Sequence, residues 1–189
     1  MCYNWVGGII MYLWFSINVD EYYKDIKFDV NRVKEELGIN YGTNNLPYHI
    51  SLKISFEAPK GKEEDIINEV EAFYKTLKPF NIKSIGIAYQ SQILWVRYEE
   101  NDYIRYIINE LNEMLNKKYN IPYHLFDINF IFHTTLFMNN DPYILKEGYL
   151  KLKDLNWPQE LYLNKFLIGY SPSGLPETYS VIKEIVLRN

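Results

Sequence analysis

The sequence has a single cysteine, Cys2, among its 189 residues. One cysteine cannot form a disulfide within the chain, and no second thiol is present to help build a zinc site. This composition is typical of proteins from a reducing compartment. We therefore expect the protein to be cytoplasmic.

Long hydrophobic runs are also missing. The most apolar stretch, residues 6–19, is shorter than the ~20 residues that a membrane-spanning helix needs. No basic segment precedes it, and no small-residue cleavage pattern follows it. We interpret this stretch as a buried strand and expect no membrane partner.

An excess of positive charge is lacking as well. Lys and Arg total 20 against 24 Asp and Glu, which gives a formal net charge of -4. Proteins that bind long nucleic acids depend on clustered Lys and Arg that displace counterions from many phosphates. The charge therefore disfavours that class of protein, whereas a small or single-stranded phosphate substrate needs only a locally positive cleft.

What the sequence does contain is ordinary globular material. Hydrophobic residues make up 48% and charged residues 23%, so neither disorder nor membrane embedding is favoured. A chain of this length can bury a substantial core as one domain, and we assign residues 1–189 to a single domain.

Apolar spacing alternates along the chain between the periods of strands and helices. It predicts strands at 9–19, 47–56, 81–89, 92–98, 129–138, 160–168 and 178–187, and helices at 20–37, 63–77, 103–115 and 142–152. After the first strand, each half of the chain repeats the order helix, strand, helix, strand, strand. The repeat predicts an α+β fold of two duplicated lobes, with two antiparallel sheets flanked by helices around a central cleft.

Two short stretches share one pattern: aromatic residue, His, any residue, hydroxyl residue, Leu. They are Tyr48-His49-Ile50-Ser51-Leu52 and Phe132-His133-Thr134-Thr135-Leu136. Because the sequence has only three histidines, two in the same pattern are improbable by chance, although one copy alone would be weak evidence. Their equivalent places in the repeat indicate a shared role.

Side chains alternate between the two faces of a strand, so His49 and Ser51 point the same way, as do His133 and Thr135. Lobes that face each other across a cleft would bring these four together. One imidazole can then remove a proton from an attacking oxygen while the other protonates the departing oxygen, and the hydroxyls can donate to phosphate oxygens. The unperturbed imidazole pKa of ~6.5 suits both roles near neutral pH.

The paired H-x-[ST]-hydrophobic motifs resemble those of the 2H phosphoesterase superfamily, which includes RNA 2′,3′-cyclic phosphodiesterases, formerly called 2′-5′ RNA ligases. This resemblance implies phosphodiester hydrolysis or transesterification without a cofactor, on a nucleotide or short single-stranded RNA, and no obligate protein partner is evident. It also implies His49 as the acid and His133 as the base. In the RNA-processing branch a small residue and an Arg commonly follow the second motif, whereas Phe137-Met138-Asn139 follows here.

Further residues are candidates for substrate binding. Lys53 shares the predicted face of His49, and Arg97 and Lys165 lie on predicted strands that follow each motif. Aromatic residues on predicted strands could line the groove and stack on a base, as in many single-stranded nucleotide sites. They are Tyr12, Trp14, Tyr89, Trp95 and Tyr170. For each of them, packing in the core is the competing interpretation.

Other interpretations of the two motifs stay open. A zinc site is weakly supported, because neither motif His has a nearby Cys or a carboxylate at ligand spacing. One alternative is a module that binds a nucleotide or phosphorylated ligand without hydrolysing it, and another is an interaction protein whose histidines only pack. His124 has no hydroxyl partner, so we assign it to a loop or the surface.

Overall fold

The computed structural model describes residues 11–39 and 46–188. Its strands are β1 (Tyr12–Asn18), β2 (His49–Glu57), β3 (Phe80–Gln90), β4 (Ile93–Tyr98), β5 (His133–Met138), β6 (Glu160–Leu163), β7 (Lys165–Ser171) and β8 (Ser180–Val186). Its α-helices are α1 (Lys24–Glu36), α2 (Glu63–Tyr74), α3 (Asp102–Tyr119), α4 (Leu125–Ile128) and α5 (Pro142–Leu152). Cys2, the start of the predicted strand 9–19 and residues 40–45 lie outside the described residues.

The strands form one antiparallel sheet in the order β6-β3-β4-β5-β2-β1-β7-β8. A single residue pair, Ile50 with Thr134, joins β2 to β5 at its centre. On one side of this junction lies the β2 half-sheet (β2, β1, β7, β8), and on the other lies the β5 half-sheet (β5, β4, β3, β6). The predicted α+β class with antiparallel strands is confirmed, but the two sheets are joined into one. Duplication and two lobes stay predictions.

The half-sheets do not follow the two halves of the sequence. The predicted single strand 160–168 is wrong, because it divides at Asn164 into β6, which pairs with β3, and β7, which pairs with β1. The positions that join the main core change there from odd to even numbers: Leu161 and Leu163 precede the break, and Phe166 and Ile168 follow it. The chain therefore crosses from the β5 half-sheet to the β2 half-sheet at this residue.

The longest helix, α3, illustrates how local sequence sets the elements. Its buried residues have helical spacing: Ile104, Ile107, Ile108, Leu111, Asn112 and Leu115. The Asn101 side chain caps the first turn by accepting from the backbone N–H groups of Tyr103 and Ile104, both at 3.0 Å. The left-handed Asn120 ends the helix. The helix predicted at 103–115 is confirmed, and it extends one turn further.

One face of the sheet packs against the helices. The core contains alternating strand residues, among them Phe15, Ile17, Ile50 and Val96, together with the apolar stripes of α1, α2, α3 and α5. The residues between them in the same strands project to the opposite face. In the part of the chain that the structure describes, no helix is both long enough and apolar enough to cross a bilayer. The opposite face carries the repeated motif.

Candidate active site

The two motif strands are neighbours at the centre of the sheet. Continuing the register of the Ile50–Thr134 pair by one residue each way sets His49 across from Thr135 and Ser51 across from His133. The flanking pair Ile50 and Thr134 is fully buried on the helix side. The four motif side chains therefore share the other face, where the two half-sheets meet.

The His49 ring is fixed by two contacts. Its Nδ1 lies 2.8 Å from the carbonyl oxygen of Pro47, and its ring centroid lies 4.9 Å from that of Trp14 on β1. A carbonyl oxygen can only accept, so Nδ1 carries the proton of the neutral ring. Nε2 is then the nitrogen that can take up a proton.

His133 repeats this arrangement in the β5 half-sheet. Its Nδ1 lies 2.7 Å from the carbonyl oxygen of Ile131, and its ring centroid lies 4.7 Å from that of Trp95 on β4. The same reasoning leaves Nε2 of His133 as the proton acceptor. Each motif histidine is thus held by the carbonyl two residues before it and by a Trp on the next strand outward.

Burial lowers the pKa of both imidazoles. For His49 it outweighs the hydrogen bond to Pro47, which raises the pKa, and a positive charge on His133 lowers it further. For His133 burial again dominates over the bond to Ile131, and the charge of Arg97 adds to the lowering.

Arg97 is the predicted binding residue that the fold brings beside the motifs. It pairs across the strands with His133, and its buried Nε atom has no hydrogen-bond partner within residues 11–39 and 46–188. A guanidinium with unused donors suits a phosphate group. Ser16, which sequence reasoning missed, pairs with Ser51 on this face, and its buried Oγ also has no partner.

Lys53 does not lie on the sheet face that carries His49, Ser51, His133 and Thr135, which we call the motif face. The register of β2 against β1 shifts between Phe15 and Ser16, so that Lys53 pairs with the core residue Phe15. This bulge reverses the predicted alternation. The Lys53 side chain is only 2% exposed, and its Nζ forms an ion pair with Asp127 and donates to the carbonyl oxygen of Pro122 at 3.1 Å.

Three further predicted binding residues also lie elsewhere. Lys165 forms an ion pair with Glu21 at the start of β7. Tyr89 stacks on Tyr149 of α5 at a centroid distance of 5.4 Å, and Tyr170 packs against the core. The two tyrosines lie on the helix side of the sheet, because their cross-strand partners are core residues, Leu94 and Leu13 respectively. The alternation around each residue is the information that would have assigned its face.

Other side chains bear on the alternative interpretations. His124 is exposed and forms the N-cap of α4, as expected for a surface position. Within the described ranges, no group of three or more His, Cys, Asp or Glu side chains is placed to hold a metal ion. Trp14 and Trp95, candidates for the groove wall or for the core, pack against the motif histidines.

Comparison with known proteins bears on the fold. No protein-family model and no curated protein sequence matches this chain. Among solved structures, LigT from E. coli in its apo form has a TM-score of 0.61 at 15% identity, over 96% of this chain and 100% of LigT. LigT complexed with 3′-AMP has a TM-score of 0.59 at 13% identity, over 95% and 99% of the two chains. The protein TT0787 of Thermus thermophilus has a TM-score of 0.57 at 14% identity, over 94% and 98%. The chain therefore has the fold of LigT, in agreement with the resemblance to the 2H phosphoesterases drawn from its two motifs.

Proposed function

We propose that the protein is a phosphodiesterase that hydrolyses 2′,3′-cyclic phosphates or 2′-5′ phosphodiester bonds, with His49 and His133 as its acid and base. The observation that carries this proposal is the register at the sheet centre, which sets two H-x-[ST] strands side by side. Both imidazoles and both hydroxyls share one face there. Each ring also has its Nδ1 occupied by a backbone carbonyl, so that Nε2 is left for chemistry.

The reaction needs two proton transfers, and two imidazoles supply both. The neutral ring takes a proton from water as the water oxygen bonds to phosphorus. The bond from phosphorus to the 2′ or 3′ oxygen then breaks, and the protonated ring gives its proton to that oxygen. The products are a phosphomonoester and a free hydroxyl. In this mechanism Ser51, Thr135 and Arg97 donate hydrogen bonds to the phosphate oxygens and so stabilise the transition state.

Nucleotides are the substrate class that we propose. LigT has been crystallised with 3′-AMP, ATP, NADP+ and phosphate. The shared fold and the Arg97 guanidinium beside the motifs support a similar ligand for this chain. Short single-stranded RNA ending in a cyclic phosphate fits the same chemistry. Cytoplasmic location stays a prediction.

The experiment is an activity screen with matched histidine variants. Substrates are 2′,3′-cyclic nucleotides, a 2′-5′ dinucleotide and RNA ending in a cyclic phosphate, each with a metal chelator present. We expect turnover in chelator, and a loss of ~10²- to ~10⁴-fold in His49→Ala and in His133→Ala. His124→Ala, which removes the third histidine, is the control and should keep wild-type turnover.

The pH profile gives a second test. The catalytic state has one neutral and one charged imidazole, and burial lowers the pKa of both. We therefore expect a bell-shaped profile of kcat/KM with its maximum below the ordinary imidazole pKa of about 6.5. Wild-type turnover in either motif variant, or a profile without an acidic limb, would remove the proposed roles.

The second candidate is a binding module of the same fold. Two imidazoles beside a guanidinium suit recognition of an anionic ligand as well as catalysis. Calorimetry with nucleotides separates the two: binding without product formation over hours favours the module. Two titrating imidazoles and two hydroxyls at one junction favour the enzyme, because a binder needs no proton donor and acceptor.

A further inference from the structure

On each side of the junction between the half-sheets, three successive strands carry the same residue types outward: His, Trp and a very small residue. In the order of the strands these residues are Ala88, Trp95, His133, His49, Trp14 and Gly169, on β3, β4, β5, β2, β1 and β7. Trp95 pairs with Ala88 and Trp14 pairs with Gly169 across their strands. Each imidazole thus has a Trp on its outer side, and each Trp has a very small residue beyond it.

The Trp14 ring needs the absence of a side chain at position 169. A Cβ atom at Gly169 would lie 2.0 Å from Cε2 and 2.1 Å from Nε1 of Trp14. Neither distance is possible for non-bonded atoms, so an alanine here would displace the indole. Because the indole also contacts the His49 ring, with 4.9 Å between centroids, its displacement would reach the imidazole.

The two tryptophans differ from a Trp that serves the core. Trp157 is buried in the main core, and its Nε1 donates to the carbonyl oxygen of Leu152 at 2.9 Å. Trp14 and Trp95 are buried outside that core, and neither Nε1 atom has a hydrogen-bond partner among the residues that the structure describes. Buried indole N–H groups are normally paired, because leaving one unpaired is unfavourable. Their position outside the main core and against the two imidazoles therefore points to a role at the motif face.

We propose that Trp14 and Trp95 are positioning residues that hold the two imidazoles toward each other, and that Gly169 provides the space that Trp14 requires. This inference rests on the proposed function of the site. An imidazole hydrogen-bonded at Nδ1 can still pivot about that bond, and the indole on its outer side limits the pivot. Nε2 of each ring is then directed to the junction of the half-sheets, where the phosphorus would lie. Misplacement by about 1 Å is enough to lower a rate by ~10²-fold.

The experiment measures the imidazoles directly, without requiring turnover. Long-range ¹H–¹⁵N NMR gives the tautomer and the pKa of each histidine in wild type, Trp14→Ala and Trp95→Ala. Trp14→Ala should admit water to His49 and raise its pKa while mixing its tautomers, and Trp95→Ala should do the same to His133. Leu variants at both positions preserve more of the packing if an Ala variant does not fold. Trp157→Phe is the matched control and should change neither ring.

Gly169→Ala tests the space that the Trp14 ring occupies. It should alter the His49 signals in the direction of Trp14→Ala, leave His133 unchanged, and add nothing in the Trp14→Ala background. Where the wild type turns over a cyclic nucleotide, kcat should fall by ~10- to ~10²-fold in each Trp variant while KM stays nearly constant. Folded Trp14 and Trp95 variants with wild-type tautomers, pKa values and kcat would overturn the inference. A wild type without turnover would remove the proposed function but leave the NMR comparison intact.

Discussion

At the scale of single residues, the two histidines make the same kinds of contact, each with a backbone carbonyl and a Trp, but their cross-strand neighbours differ. His133 pairs with Arg97, whereas His49 pairs with Asn18. A permanent positive charge beside His133 lowers its pKa, and His49 has only the second imidazole as a charge that lowers its pKa. Arg97 therefore puts a permanent positive charge at His133 that has no equivalent at the cross-strand neighbour of His49.

Replacing Arg97 by Met tests this electrostatic difference. The pKa of His133 should rise in Arg97→Met, because a neighbouring positive charge that disfavours its protonation is lost. Affinity for inorganic phosphate should fall, because a guanidinium donor is lost at the same time. NMR titration of His133 and calorimetry with phosphate measure the two effects.

A matched substitution away from the site separates these effects from a general change in charge. Arg32 lies on α1 and forms ion pairs with Asp29 and Glu36. Arg32→Met should leave both the His133 titration and phosphate binding unchanged. An unchanged or lowered His133 pKa in Arg97→Met would contradict the effect assigned to the Arg97 charge.

At the scale of elements, the sequence predicted the central strands and helices but not the irregularities between them. The stripe of α3 and the alternation around both motifs are local patterns, and local patterns are readable from sequence. Lys53 points to the core because of a bulge in the pairing of β2 with β1. The strand breaks at Asn164 because β6 pairs with β3 and β7 pairs with β1. Both irregularities depend on strands that are distant in the chain, so the neighbouring sequence did not predict them.

The bulge places a buried ion pair between β2 and α4. The side chains of Lys53 and Asp127 are each 2% exposed, and Asp127 also accepts from the backbone N–H of His124 at 2.7 Å. Removing one partner from such a pair leaves the other charge buried and uncompensated. We expect Lys53→Met to lower the free energy of unfolding by ~3–5 kcal/mol, measured by urea denaturation at neutral pH.

An exposed pair on α2 provides the comparison. Lys62 and Asp65 form an ion pair at 3.1 Å, with side chains 56% and 59% exposed. Lys62→Met should leave the denaturation midpoint unchanged, because solvent screens such pairs. Restoring apolar packing with Lys53→Met/Asp127→Leu should recover part of the loss. Equal stability of Lys53→Met and wild type would show that the buried ion pair does not stabilise the fold.

At the scale of the whole molecule, the candidate site lies where the sheet has its least backbone pairing. One residue pair joins the half-sheets, and buried side chains supplement it. Tyr98 shares a hydrogen bond with Thr134 at 2.8 Å and another with Tyr23, which follows β1 in the other half. The Lys53–Asp127 pair joins β2 to α4, the helix that precedes β5. Buried side-chain contacts therefore supplement the single strand pairing that sets the two motifs beside each other.

Burying two imidazoles at this junction makes the stability of the whole protein depend on pH. The folded-state pKa of His49 and of His133 lies below the unfolded value of about 6.5. The unfolded chain therefore binds more protons below that pH, so the contribution of the two histidines to stability is present above it and is lost as pH falls through the folded pKa values.

Urea denaturation at pH 7.5 and 5.5 should show the wild type losing stability. His49→Gln/His133→Gln should lose less over the same interval, because neither Gln side chain titrates. The carboxylates whose pKa is lowered by lysine partners, Glu36 and Glu71, titrate below this interval. A loss of equal size in the wild type and the double variant would place the acid sensitivity outside the motif face.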